Sequence, residues 1–341
     1  MLKSLRKWQI GLEDTPGVEV DASDRLLGDI TVTDASETVT PEADYGLQDE
    51  VVEAPVLALE GTDLSWETDL SYEQCLYAFL AGIIGGVTPG AEQTPGQGDY
   101  EWVFTPVAAA KPDVDTFTIE YIETDGTLSE EWTALQAICS ELGISWEAGP
   151  NLAQMSSTWF ANGMTNKAAT AGVAKPARTL IPAKKVTVKL ATSFAGLDAA
   201  GALTGVLSGE WTLATGLMRK DRSDGDLGYA DYKAQKRRAE LTLTVDLDGT
   251  FEDERVNKFR GGDNTFIRIE VTGAQIGSGL FKTITVDGCY VLPEWNDFGN
   301  DDDNESTIEL GYVSQYDPVG GYAFRVTVIN DVDILPGAEG S

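Results

Sequence analysis

Residues 240–247 read Glu-Leu-Thr-Leu-Thr-Val-Asp-Leu, and this stretch decides the fold class. Its apolar side chains recur at every second position, which is the period of a β-strand with one buried face. The alternation returns five times in the second half of the chain, at residues 185–190, 266–271, 282–286, 308–312 and 324–328. We therefore predict a mainly β protein with an antiparallel β-sandwich or barrel.

Two short helices are expected to flank the strands. Residues 251–260 have acidic residues in the first turn, basic residues in the last turn and two glycines after them, which is typical of a complete short helix. In the first half, Ser71 and Gln74 match a capping box that opens a helix ending near Ile84. This helix lies among predicted strands at residues 64–68, 100–104 and 116–121.

A third helix is predicted from Leu128 to Leu142. Thr127 with Glu130 matches a helix start, and Gly143 matches a helix stop. The apolar residues of the segment have helical spacing and would share one face: Trp132, Leu135, Ile138, Cys139 and Leu142. The order strand, helix, strand then occurs in both halves, which favours an internal duplication.

Composition divides the 341 residues into two parts. We predict an acidic first β domain at residues 1–165, a small-residue, lysine-bearing linker at 166–184, and a second β domain at 185–341. Residues 1–166 hold 5 basic and 30 acidic side chains, whereas residues 167–341 hold 19 and 26. This polarity favours head-to-tail assembly, in which the less acidic half of one copy meets the acidic half of another.

The overall charge and the absence of histidine exclude several classes of function. A formal net charge of −32 opposes tight binding of nucleic acid or anionic lipid. The chain contains no histidine, which excludes histidine-dependent triads and histidine-ligated zinc. No nucleotide-binding or covalent-catalysis motif is present, so we predict a protein that is not an enzyme and uses no cofactor. The three cysteines are expected to be buried thiols.

The hydropathy pattern predicts neither export nor a membrane span. The start of the chain is basic but lacks the apolar core of a secretory signal. The longest nearly apolar run, residues 76–87, is too short to cross a bilayer. We expect synthesis and assembly in the cytoplasm.

The densest acidic cluster, residues 297–305, contains the candidate cation ligands Asp301, Asp303 and Glu305. Carboxylates are the ligands that calcium prefers. The cluster nevertheless lacks the residue order of a calcium loop and is placed where a hairpin turn would join two strands. A solvated loop is the favoured interpretation, with a cation site as its alternative.

Residues 217–238 form a second polar cluster, which we predict to be a long basic arm. It gathers 7 of the 24 basic residues of the chain. A mobile surface hairpin and a nucleic-acid patch are alternatives, but the interleaved aspartates and the global charge oppose the latter. We expect the arm to dock on a neighbouring subunit or ring through its cationic side chains: Arg219, Lys220, Arg222, Lys233, Lys236, Arg237 and Arg238.

Several spaced segments together resemble the tail tube proteins of long-tailed, siphovirus-type bacteriophages. Those of the first half are Lys7–Gly17, Arg25–Gly28, Leu64–Trp66 and the helix at 71–84. Those of the second half are Leu203–Trp211, Lys236–Val245 and Ala323–Asn330. The resemblance spans most of the chain as a diffuse pattern without one invariant motif.

The resemblance implies a structural virion protein whose strands join those of its neighbours into rings. These rings stack into the hollow tail tube through which genomic DNA is delivered. Other tail proteins, namely the tape measure, the tail terminator and the distal tail protein, are then expected partners, and the virion tail is the expected location. An acidic wall suits this task, because it prevents lasting contacts between cationic side chains and passing phosphates.

Ring size depends on the number of tube-type domains in the chain. If the chain holds two such domains, three copies supply the six domains of one ring. We favour this trimer over a hexamer. A different class of function remains open beside this one: a β-sandwich binding or adhesion module whose acidic loop holds calcium or a carbohydrate.

Overall fold

The computed structural model describes residues 6–41, 54–83, 87–108, 114–125, 129–223, 225–246, 253–277, 279–295, 299–300 and 306–334. Strands of the first half are β1 Lys7–Leu12, β2 Asp24–Leu26, β3 Asp29–Asp34, β4 Glu37–Val39, β5 Val56–Leu59, β6 Thr62–Asp69, β7 Val87–Glu92, β8 Tyr100–Phe104, β9 Phe117–Thr124, β10 Ser129–Glu147, β11 Gln154–Ala161 and β12 Thr165–Asn166. Those of the second half are β13 Val186–Ala191, β14 Val206–Ala214, β15 Leu217–Lys220, β16 Asp231–Ala234, β17 Arg238–Asp246, β18 Thr265–Ile276, β19 Leu280–Val291, β20 Gly299–Asn300, β21 Ser306–Ser314 and β22 Phe324–Asn330. The helices are α1 Cys75–Gly82, two single 3₁₀ turns at Ala183–Lys185 and Phe194–Gly196, and a π-helical turn at Glu254–Phe259.

The mainly β prediction is confirmed, and all the described strands except β4, β5, β15 and β16 form one connected antiparallel ladder. One path through it runs β3–β6–β11–β10–β14–β17–β21–β19–β18–β13. Strands β9, β1 and β2 branch from β10, and strands β22, β8 and β7 branch from β19. Apart from Lys185, which ends a 3₁₀ turn, the described residues of the six alternating segments of the second half lie in this ladder, as their period requires.

The ladder curls around its own core. Strands β14 and β22 are four ladder steps apart, which is roughly 19 Å in a flat sheet at about 4.8 Å a step. The ring centroids of Trp211 on β14 and Phe324 on β22 are nevertheless only 5.8 Å apart. The Trp211 indole also donates to the Tyr290 hydroxyl on β19 over 3.0 Å. These contacts require the sheet to bend into a barrel-like enclosure.

Both halves of the chain contribute to this core. The pairs β10–β14 and β8–β22 join strands from either side of residues 166–184. Within that predicted linker, Ile181 is fully buried, donates to the Leu70 carbonyl and accepts from the Ala153 amide. The end of the predicted linker is therefore part of the core and not an exposed connection. The Ile181 side chain is buried there, and its backbone amide and carbonyl both have hydrogen-bond partners. The division into two tube-type domains stays a prediction.

The predicted helix after Ser71 is confirmed as α1. Half of the expected capping box is present, since the Ser71 hydroxyl accepts from the Gln74 amide over 3.2 Å. The Gln74 side chain instead leaves the helix, accepting from the Leu27 amide over 3.2 Å. The Leu27 carbonyl in turn accepts from the Trp66 indole over 2.9 Å. Three separate segments of the tail-tube-like pattern thus meet in one hydrogen-bonded cluster.

The prediction of a helix from Leu128 to Leu142 is wrong, because residues 129–147 form the strand β10. The strand pairs with β9 and β12 over its first part and with β11 and β14 over its second. Register shifts interrupt it between Ala134 and Ala137 and between Cys139 and Glu141, and Gln136 has a positive φ of 56°. Each irregularity displaces the inward-facing positions, so the buried residues acquire a spacing of three to four that imitates a helix.

The remaining local predictions agree with the structure. A short helix lies at Glu254–Phe259, with Glu254 in its first turn, Lys258 in its last, and Gly261 and Gly262 after it. Residues 251 and 252 of the predicted helix lie outside the described residues. All three cysteines are buried free thiols, as expected.

Candidate assembly surface

A two-stranded ribbon, β4–β5, carries exposed apolar side chains. Its strands pair through Thr38 with Leu57 and Val39 with Val56. Val39 is 58% exposed and Val56 is 61% exposed. An isolated two-stranded ribbon is marginally stable in water, and exposed apolar residues on it indicate a contact surface. We call residues 37–39 and 56–59 the ribbon.

Residues 217–234 form a second two-stranded element, β15–β16, which corresponds to most of the predicted arm. Its base is packed against the body, since Leu217 and Tyr229 are buried with Ile138 and Phe160. The Tyr229 amide donates to Asn162 Oδ1 over 3.0 Å, and its hydroxyl donates to the Gln136 carbonyl. Burial raises the pKa of Tyr229 far above its usual range, so the hydroxyl stays a donor. We call this element the hairpin.

Arg219 fixes the hairpin to the strand that follows the ribbon. Its guanidinium donates to the Thr62 carbonyl over 2.7 Å and to Asp63 Oδ1 over 2.6 Å. It also lies 5.8 Å from the centre of the Phe160 ring, within the range of a cation–π contact. Arg219 therefore acts as an anchor within the chain rather than as an outward cation.

The other six predicted arm residues divide into two groups. Four have partners within the chain: Lys220 and Arg222 pair with Asp231, Arg238 pairs with Glu240, and Arg237 donates to the Val107 carbonyl. Burial lowers the pKa of the Arg237 guanidinium, which still stays charged in proteins. The second group, Lys233 and Lys236, is exposed.

A cavity of about 1400 Å³ opens beside the hairpin. Four cationic side chains line it, namely Lys220, Lys233, Lys236 and Arg237. Within the part of the chain that the structure describes, no carboxylate lines this cavity. In a chain of net charge −32, this is a local reversal of sign. We call it the cationic cavity.

Part of the negative charge of the first half has a structural role. The Glu13 carboxylate is buried and accepts from the Gly17 and Gln136 amides, each over 2.8 Å. The Glu120 carboxylate, also buried, accepts from the Thr170 amide over 2.9 Å and from the Gln9 amide side chain over 2.8 Å. Hydrogen bonds to buried carboxylates offset their desolvation. Glu13 and Glu120 therefore stabilise the fold and do not contribute to an acidic surface.

The candidate cation ligands Asp301, Asp303 and Glu305 lie outside the described residues. Across the described ranges, no group of three histidine, cysteine, aspartate or glutamate side chains is arranged to hold a metal ion.

Sequence reasoning missed both the ribbon and the cationic cavity. The short apolar run Val56–Leu59 is a strand signal, but periodicity alone does not distinguish so short a run from a segment of buried helix. The cavity depends on residues 106–108 and 314–324 packing near the hairpin, which no local pattern reveals.

No known protein-family model matches the sequence, and no curated protein shows significant similarity to it. Among the described residues, none of the helices has the length and hydropathy needed to cross a bilayer.

Proposed function

We propose that this protein is a tail tube protein of a long-tailed bacteriophage. In this role it is a structural virion protein that assembles into stacked rings and forms the hollow tube for DNA delivery. The observation that carries the proposal is the ribbon, whose paired valines Val39 and Val56 place exposed apolar surface side by side on a two-stranded element. Such a surface is explained most directly by burial against another copy.

The sheet edges and the charge distribution support the same function. Within the described strands, β3 has a ladder partner only in β6, which leaves its other edge open to a strand of a second subunit. The acidic first half and the less acidic second half, which supplies the four cationic side chains of the cavity, are complementary for head-to-tail contact. A trimeric ring remains favoured over a hexameric one, with the tape measure, tail terminator and distal tail proteins as further partners.

An acidic conduit is also suited to the passage of duplex DNA. Release of counterions from phosphates gives basic proteins their non-specific affinity, and a chain of net charge −32 provides little of it. DNA could then move through the bore without being retained.

Sedimentation velocity over a range of protein and salt concentrations tests the proposal. The wild-type chain is expected to form large, concentration-dependent species that weaken at high salt. The double variant Val39→Asp with Val56→Asp should remain small, because two charges would be buried in the contact. The matched control is Val18→Asp with Val319→Asp, which adds the same charge at exposed valines outside the ribbon. Equal assembly of both double variants would contradict the role of the ribbon.

A further inference from the structure

The cationic cavity combines charge with apolar surface. Lys233 and Lys236 are exposed at its wall, and Arg237 contributes a further cation. Tyr232, Tyr316 and Phe324 provide aromatic lining, and Tyr316 is 53% exposed. This combination fits an extended polypeptide whose carboxylates alternate with apolar side chains, because each type of group then finds its complement.

Residues 42–53 of the same chain have that composition. The sequence Glu-Ala-Asp-Tyr-Gly-Leu-Gln-Asp-Glu-Val-Val-Glu contains five carboxylates, no basic residue and four large apolar or aromatic residues. The ribbon brackets this segment, since Val39 and Val56 form its last described pair. The described strands β4 and β5 thus flank the segment in the sequence, and each carries an exposed valine on the side next to it.

We propose that the cationic cavity binds residues 42–53 of a second copy of this chain. The inference rests on the proposed function, and it names the contact by which one subunit holds the next. At physiological ionic strength, charges more than about 8 Å apart are largely screened. The repulsion between two acidic chains is therefore weakened, whereas contacts between segment carboxylates and cavity cations persist.

The direct test is binding of a synthetic peptide of residues 40–55 to the full-length chain, measured by fluorescence anisotropy. Lys233→Glu with Lys236→Glu should weaken binding about tenfold, because two modest attractions become repulsions. The matched control is Lys184→Glu with Lys185→Glu, since both lysines are exposed, lie outside the cavity and change the net charge equally. A peptide with amides in place of its five carboxylates should bind at least tenfold more weakly than the native peptide.

The same variants are then sedimented to separate this inference from the proposed function. Loss of peptide binding together with loss of large species in the Lys233/Lys236 variant supports both. Equal peptide binding by both double variants, or none by the wild type, overturns the inference, and large wild-type species would then leave the proposed function intact. If the wild-type chain binds the peptide but stays monomeric at every concentration, the segment that occupies the cationic cavity does not come from a second copy, and the inference is overturned. Tighter binding of a single-stranded oligonucleotide of equal charge would assign the cavity to nucleic acid and overturn the inference.

Discussion

Replacing Arg219 by alanine should release the hairpin while leaving the rest of the fold intact. The Arg219 side chain is 20% exposed, and its guanidinium bridges the Thr62 carbonyl and the Asp63 carboxylate. A hydrogen bond to a charged group contributes about 1.5–3 kcal/mol when it is shielded from water. The Asp63 side chain is 55% exposed, so that pair contributes about 0–1 kcal/mol. Allowing for partial solvation of the guanidinium, we expect the opening free energy of the hairpin to fall by about 1–2 kcal/mol.

Hydrogen–deuterium exchange of the β15 and β16 amides measures this change. A loss of about 1–2 kcal/mol should raise their exchange rates roughly 5- to 30-fold, with little change in β14 or β17. Arg238→Ala is the matched control, because its side chain is 60% exposed and its partner Glu240 is 47% exposed. The control should alter the same rates less than about twofold. Unchanged hairpin protection in the Arg219 variant would refute the anchoring role.

Three further predictions concern the stability of the fold. Tyr290→Phe leaves the buried Trp211 indole without its acceptor, so chemical denaturation should show a loss of about 1–3 kcal/mol; an unchanged midpoint would show that the bond contributes nothing. Burial raises the pKa of Glu254 above 4.5, so this residue favours folding below pH 4.5 and loses that contribution as pH rises through its raised pKa. The unfolding free energy of Glu254→Gln should therefore depend less on pH than that of the wild type, and parallel pH profiles would contradict this. Gly82→Ala places a methyl group against the Leu142 side chain and should cost about 1–2 kcal/mol in the same denaturation assay; an unchanged midpoint would contradict this.

Strands with strict alternation were predictable from the sequence because their side chains meet one core at a constant period. Residues 324–328 show this, since Phe324, Val326 and Val328 are all buried in β22. The strand β10 was not predictable in the same way. Its two register shifts and the positive φ of Gln136 changed which positions face inward, and only the pairing strands on both sides reveal this.

The candidate site was predictable only in part. The accumulation of basic residues in 217–238 indicated a special segment, but the sequence could not distinguish an anchor from an outward cation. Arg219 and Lys233 belong to the same hairpin, yet Arg219 contacts Thr62 and Lys233 is exposed beside the cavity. That difference depends on contacts more than a hundred residues away in the chain, which local composition does not encode.

Negative-stain electron microscopy of the concentrated, purified protein tests the central claim most directly. The proposal predicts rings or hollow tubes with a continuous bore, which shorten or dissociate as salt is raised. Particles that remain single compact subunits at every protein and salt concentration, even when preformed tail-tip complexes are supplied as initiators, would contradict it.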